Sequence, residues 1–212
     1  MSDQATEIKE RGILFSAEMV RALLDRRKTQ TRRVMNPQPP DDANYVPEDD
    51  VFTVGTACAF DGWKAPDCPY GVPGDRLWVR ETFAKVGDNE DDIHGAYHYL
   101  PHGSVYYRAD NPLPGDLKWR PSIFMPRWAS RITLEITEVR VQRVQEITER
   151  DAISEGVLYA AGGTPDEFQI RNSPLRCFGR LWDSINAKRG YSLESNPWVR
   201  AITFRRLQLC TS

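Results

Sequence analysis

The chain has 212 residues and a formal charge of −2, a length that supplies one large core or two small ones without disulfide or metal staples. Its 40% hydrophobic and 27% charged residues exclude a disordered or fibrous chain. No apolar run approaches the ~20 residues of a bilayer-crossing helix and MSDQATEIKERG contains no signal-peptide core, so a cytoplasmic protein without membrane contact is expected. Cys58, Cys68, Cys177 and Cys210 form no CxxC pair and read as reduced thiols. The near-zero charge hides an asymmetry: Arg21, Arg26, Arg27, Lys28, Arg32 and Arg33 face one acid, Asp25, whereas residues 41–50 contain acids and no base.

In chain order, residues 1–11 read as a polar, flexible tail, and Ile13, Leu14 and Phe15 open the core as a strand. Ser16 can cap a helix over 17–27, in which Met19, Val20, Leu23 and Leu24 share a face and Arg21, Asp25 and Arg26 point to water. Thr29, Thr31 and Val34 favour extended backbone, which places Lys28 to Thr31 at a helix–strand junction. Residues 36–74 carry most of the prolines and little periodicity, and are expected to be a long excursion from the core.

GDRLWVRETFAKV predicts a strand with Leu77, Val79 and Glu81 alternating against Trp78, Arg80 and Thr82. AYHYL and SVYYRAD are further strand candidates. RITLEITEVRVQRV is the clearest, with Ile132, Leu134 and Ile136 on one side. Thr148 stands three residues before Asp151, a capping-box spacing, in a helix that Gly156 stops. Ser173 and Pro174 start the next helix, with Leu175, Phe178, Leu181, Trp182 and Ile185 at helical spacing and Gly190 beyond its end. WVRAITFRRLQL closes the chain as a strand. Helices at both ends of a set of strands without βαβ alternation give an α+β fold with a curled or barrel sheet.

His94, His98 and His102 are spaced for a metal on one helical face, but Gly95, Pro101 and the aromatics between them favour an extended hairpin, so no metal is expected. Dinucleotide, P-loop, zincin and serine-elbow signatures are absent. Lys28, Thr31 and Glu155 remain. A threonine hydroxyl becomes a nucleophile when a neighbour takes its proton, and the arginines crowding Lys28 push its pKa in the direction a base requires. The same residues also fit a plainer reading: a lysine at a helix end, a β-forming threonine, and an exposed glutamate. Glu155 closes its helix, where the dipole disfavours an acid, so something is expected to compensate for it. Trp119, Arg127 and Trp128 in KWRPSIFMPRWASR could stack a base or anchor the core.

ILFSAEMVRALLDRRKTQTRRV, CPYGVPGDRLWVRETF, MPRWASRITLEITEV, ITERDAISEGV, LWDSINAKRGY and WVRAITFRRL, in this order, resemble the ASCH domain of the PUA-like superfamily, in the form widespread in phages and prophages. The resemblance covers nearly residues 12–207. It implies a single domain over 12–212, a small mixed β-barrel flanked by helices, with insertions at about 35–74 and 86–127. Within that superfamily the bacterial N4-acetylcytidine amidohydrolases use a lysine, a threonine three residues on, and a later glutamate. Lys28, Thr31 and Glu155 match all three. The resemblance thus implies a hydrolase without cofactor or metal that removes acyl groups from N4-acylated cytosine nucleosides or related bases, with Thr31 as nucleophile, Lys28 as base and acid, and Glu155 holding Lys28. Arg33, Arg80, Glu81, Arg127 and Trp128 are further substrate-binding candidates. It equally admits a module that binds RNA or a modified base without chemistry, a ribonuclease, or a phage assembly protein.

Overall fold

The structure, a computed structural model, describes residues 7–40, 42–54, 63–64, 67–85, 103–110, 118–157 and 173–207. His94, His98, His102, Cys58, Cys210 and the AYHYL strand candidate lie outside these residues. The main sheet takes β1 (Glu10–Leu14), β2 (Gln30–Val34), β6 (Arg76–Arg80), β9 (Thr133–Arg143) and β10 (Trp198–Leu207) in the order β1-β6-β9-β10-β2. Only β1 and β6 run parallel; the other neighbours are antiparallel. With α1 (Ala17–Leu24), α2 (Glu149–Ser154) and α3 (Pro174–Asn186), the fold is α+β.

Alternation along the strands sorts the two faces. Ile13, Leu77, Val79, Leu134, Ile136, Ile202 and Phe204 pack with Phe15, Val20 and Leu23, whereas Val199 turns the other way, toward Phe178, Trp182, Ala152 and Ile147. In β9 the inward residues are even-numbered up to Ile136 and odd-numbered from Val139. Register explains the switch: Ile136 pairs with Phe204 and Glu138 with Thr203, so Thr137 is an extra residue that reverses parity.

Three expectations change. β1 begins at Glu10, because Glu10 and Arg11 pair with Arg76 and Leu77, so the sheet takes in the last two residues of the expected tail. α1 stops at Leu24 rather than residue 27: Arg26 is left-handed (φ 59°), and the Arg27 and Lys28 amides both donate to the Ala22 carbonyl, turning the chain toward β2. The proline-rich excursion carries a small antiparallel sheet of β3 (Ala43–Val46), β4 (Val51–Val54) and β5 (Trp63–Lys64). It is docked through Phe52, whose fully buried ring lies 4.9 Å from that of Trp198 and 5.1 Å from that of Tyr45.

β7 (Phe83–Lys85) and β8 (Val105–Tyr107) form a separate pair. The sheet's edge strands approach each other at the site: Arg33 of β2 donates through Nη2 to the Leu14 carbonyl of β1 at 2.7 Å. No ladder joins β1 to β2 among the described residues, so backbone pairing does not close the sheet. Nor, among these residues, is any helix long and apolar enough to cross a membrane.

Candidate active site

The turn after α1 delivers Lys28 beneath the end of α2, and β2 then carries Thr31 directly after Gln30. Lys28 is 2% exposed, Thr31 2% and Glu155 5%, although all are polar and two are charged. The Lys28 ammonium donates all three protons: to the Gln30 carbonyl, the Glu155 carbonyl and Glu155 Oε2, each at 2.8 Å. It also lies 5.4 Å from the centre of the Phe15 ring. Burial is the largest influence on Lys28 and pulls its pKa down; Glu155 opposes this, and Arg33 and Arg32 reinforce it.

Glu155 caps the C-terminus of α2, and the compensating cation is Lys28, which binds both the carboxylate and a carbonyl at that negative end. Arg32 completes the cluster. Its guanidinium lies 3.2 Å from Glu155 Oε1 and 3.1 Å from Asp151 Oδ2, and Nη1 donates to Gln30 Oε1. Burial alone would raise the Asp151 pKa; Arg32, the Thr148 cap and Arg140 outweigh it and hold the carboxyl below its ordinary value. Gly156 makes the approach fit: at φ +81° it sits where a Cβ would come within 2.9 Å of both Ala22 Cβ and Lys28 Cβ.

The Thr31 hydroxyl has no hydrogen-bond partner among the described residues. Thr31 lines a cleft of about 130 Å³ that also takes Arg32, Arg33, Glu155, Tyr70, Asn186 and Arg189, with an apolar wall of Met19, Phe178, Leu181, Trp182 and Ile185. The α3 residues are those whose helical spacing stands out in the sequence; Phe178, Leu181 and Trp182 serve the cleft as well as the core, and the exposed Ile185 serves the cleft.

Backbone donors at this edge follow from the ladder. Met35 N donates to the Trp198 carbonyl and Phe204 N to the Thr29 carbonyl, so the alternation of an antiparallel pair turns the backbone groups of Thr31 and Arg33 toward β10 and those of Gln30, Arg32 and Val34 toward the open edge. Of the amides in the 28–31 turn, that of Lys28 is bound to Ala22 O and that of Thr29 to Ser154 O. The amides left facing the edge are those of Gln30 and Arg32.

The remaining sequence candidates divide. Arg33 lines the cleft, its guanidinium 5.2 Å from the Phe15 ring centre and 5.9 Å from that of Tyr70. Arg80, Glu81, Arg127 and Trp128 do not line it. Arg80 stacks on Trp78 and donates to the Ile123 carbonyl, and Glu81 is buried in a two-pronged ion pair with Arg131. Arg127 pairs with Glu10, while Trp128 is 65% exposed beneath Lys85. Trp119 stacks under Arg108. Sequence reasoning gave no place in the site to Tyr70, Asn186 or Arg189, read Asp151 only as a helix cap, and counted Arg32 only among the charges near Lys28. A signal was present for Arg32, the two-residue alternation that puts it on the face of Gln30, and for Asp151, the capping-box spacing from Thr148.

Among the described residues no group of three or more His, Cys, Asp or Glu could hold a metal ion. Comparison with protein-family models, curated proteins and solved structures finds no match.

Proposed function

We propose that this chain is an ASCH-type, PUA-like amidohydrolase that works without a metal and removes acyl groups from N4-acylated cytosine nucleosides or related modified bases. The observation that supports it is a buried lysine, held by Glu155, three residues before a buried threonine that lines a cleft and whose hydroxyl has no hydrogen-bond partner among the described residues. A structural lysine would need only its three acceptors; it would not require an unbonded hydroxyl three residues on. The five-stranded sheet, with β1 and β2 drawn together by Arg33, is on this reading the opened form of a PUA-like barrel.

In this mechanism Thr31 Oγ1 attacks the acyl carbonyl. Lys28 must first lose one of its three engaged protons, and Glu155 Oε2 is the acceptor already bound to it. The neutral amine then takes the Thr31 proton, and the tetrahedral oxyanion is met by amides at the open edge of β2. Lys28 returns the proton to the exocyclic nitrogen as the C–N bond breaks, and water releases the acyl group from Thr31.

The test is release of cytidine from N4-acetylcytidine by wild type, Thr31→Ala, Lys28→Ala and Glu155→Ala, with and without EDTA. Turnover that is unaffected by EDTA and lost in folded variants supports the reading; a folded wild type inert on N4-acetylcytidine and on bulkier N4-acyl analogues overturns it.

A second reading, an RNA or modified-base binding module, draws on a different surface. Trp128 (65% exposed) carries Lys85 over its ring, and Phe124 (69%) follows Ile123, whose carbonyl accepts from Arg80, exposed rings and cations of the kind on which bases stack. Oligonucleotide affinity that depends on these rings and survives Thr31→Ala would support it.

A further inference from the structure

The charges around Thr31 do not balance, and the excess is on the side that faces the ligand. Lys28 and Arg32 are matched by Glu155 and Asp151. Among the described residues Glu155 is the only carboxylate lining the cleft, and both of its oxygens are engaged. Two more arginines line the same cleft, Arg33 and Arg189, and neither forms an ion pair among the described residues. Arg33 makes one hydrogen bond, to the Leu14 carbonyl, and its Nε is shut off from solvent with no partner. Asp67 lines an adjoining cavity that Arg33, Tyr70 and Arg200 also line, and it forms no ion pair with Arg33.

Two guanidinium groups bordering one small cleft repel each other. Arg33 pays a desolvation cost as well, and a neutral nucleoside would relieve neither penalty. A phosphate would relieve both, because its oxygens accept paired N–H bonds from guanidinium groups. The apolar lining of Met19, Phe178, Leu181, Trp182 and Ile185 suits a flat base and its acyl group.

We propose that the ligand of this cleft carries a phosphate, as a nucleotide or as one residue of a strand, with Arg33 and Arg189 forming its anion site. That the base is an acylated cytosine rests on the function proposed above; the anion site does not.

The experiment is equilibrium binding to the full chain at low salt, with cytidine, cytidine 5′-monophosphate, cytidine 3′-monophosphate and tricytidylate as probes. A phosphorylated probe is expected to bind about tenfold tighter than cytidine or better, with the preference shrinking as salt rises. Arg33→Gln and Arg189→Gln should each abolish most of that preference. Arg205→Gln, an exposed arginine paired with Glu135, should leave it intact. Arg189 is exposed, so its variant tests the site even where Arg33→Gln fails to fold. Tightest binding of one monophosphate assigns a free nucleotide, and tightest binding of tricytidylate assigns a strand. Equal affinity for cytidine and every phosphorylated probe, no binding of any phosphorylated probe, or a preference intact in Arg189→Gln overturns the inference. Turnover of N4-acetylcytidine, assayed in parallel, separates the two ideas. Turnover without phosphate preference removes the anion site alone, and phosphate preference without turnover removes the amidohydrolase alone.

Discussion

The Lys28 ammonium binds one residue twice, donating at 2.8 Å to the carboxylate of Glu155 and at 2.8 Å to its backbone carbonyl. The pair therefore does two things at once: it neutralises a buried charge and ends α2, whose carbonyls would otherwise face the interior. Either role alone would keep a lysine here, but together they fix Nζ against both side-chain rotation and helix fraying.

Glu155→Gln leaves the Lys28 charge buried without a counter-ion, and is expected to cost about 3–5 kcal/mol at neutral pH. The loss should depend on pH with a defined sign. Burial puts the folded pKa of Lys28 below its unfolded value, so the unfolded chain binds more protons and stability rises with pH between those two values. Glu155 raises the folded pKa; without it the rising window extends further toward neutrality. Denaturant melts at about pH 7 and about pH 9.5 check this: Glu155→Gln should regain part of its loss at the higher pH, and an equal loss at both would exclude Lys28 as the group responsible.

Thr31→Val separates chemistry from packing. The hydroxyl has no partner to lose, and valine keeps the β-branched shape that a strand favours, so stability should stay within about 0.5 kcal/mol of wild type. On the proposed function, hydrolysis of N4-acetylcytidine should fall by about a hundredfold or more, because the proposed nucleophile is gone. Paired melting and turnover measurements decide it, and retained turnover would mean that Thr31 is only a strand residue.

Gly156 and Gly190 share nearly the same backbone conformation, φ +81° and φ +85°, but differ in surroundings. An alanine at Gly190 meets no atom within 4 Å, so Gly190→Ala should cost only the left-handed penalty of about 1–2 kcal/mol. At Gly156 the same methyl would sit 2.9 Å from Lys28 Cβ and Ala22 Cβ. Gly156→Ala should therefore cost more, by about 1–3 kcal/mol of overpacking. It should also lower kcat through displacement of Lys28, whereas Gly190→Ala leaves turnover unchanged. Similar melting losses for the two variants would show that α1 gives way freely.

Much of this was legible in the sequence where the determinants are local. Ser16, Thr148 and Ser173 act as the helix caps their spacing predicts, with Asp151 completing the box of Thr148. The alternation of Leu77, Val79 and Glu81 holds into the interior, although Glu81 needs Arg131, fifty residues away, to be there. The end of α1 was not legible, because nothing in LLDRRK marks Arg26 as left-handed; tertiary placement of Lys28 under α2 imposes it. The strands of the proline-rich stretch were missed although Val51 to Val54 are β-formers after an acidic turn, since the docking of Phe52 on Trp198 is long-range. Lys28, Thr31 and Glu155 came from spacing and family likeness. Arg189 and Tyr70 could not have, because only the fold brings α3 and the loop before β6 to the edge of β2.

Asp75 holds the start of β1 against β6 and makes acid stability a test of that junction. Its carboxylate accepts from the Lys9 amide at 3.0 Å, the Val72 amide at 3.2 Å and Arg11 Nη1 at 2.9 Å. Burial alone would raise its pKa; the two amides and Arg11 outweigh burial and hold it below the ordinary value. A folded pKa below the unfolded one means that the stabilisation is fully present above the unfolded value, about pH 4, and is lost as pH falls through the folded one. Asp75→Asn keeps the shape but replaces one acceptor oxygen with a donor that meets an amide or a guanidinium. It should cost about 1–3 kcal/mol at neutral pH and make the fall in stability below about pH 4 shallower than in wild type. Amide exchange should quicken at Arg76, whose amide donates to the Lys9 carbonyl at the start of the β1–β6 pairing, before it does in the β9–β10 ladder. A variant whose acid limb parallels wild type would place the titrating group elsewhere, with the Asp151 carboxyl, also held low beside Arg32, the next to test.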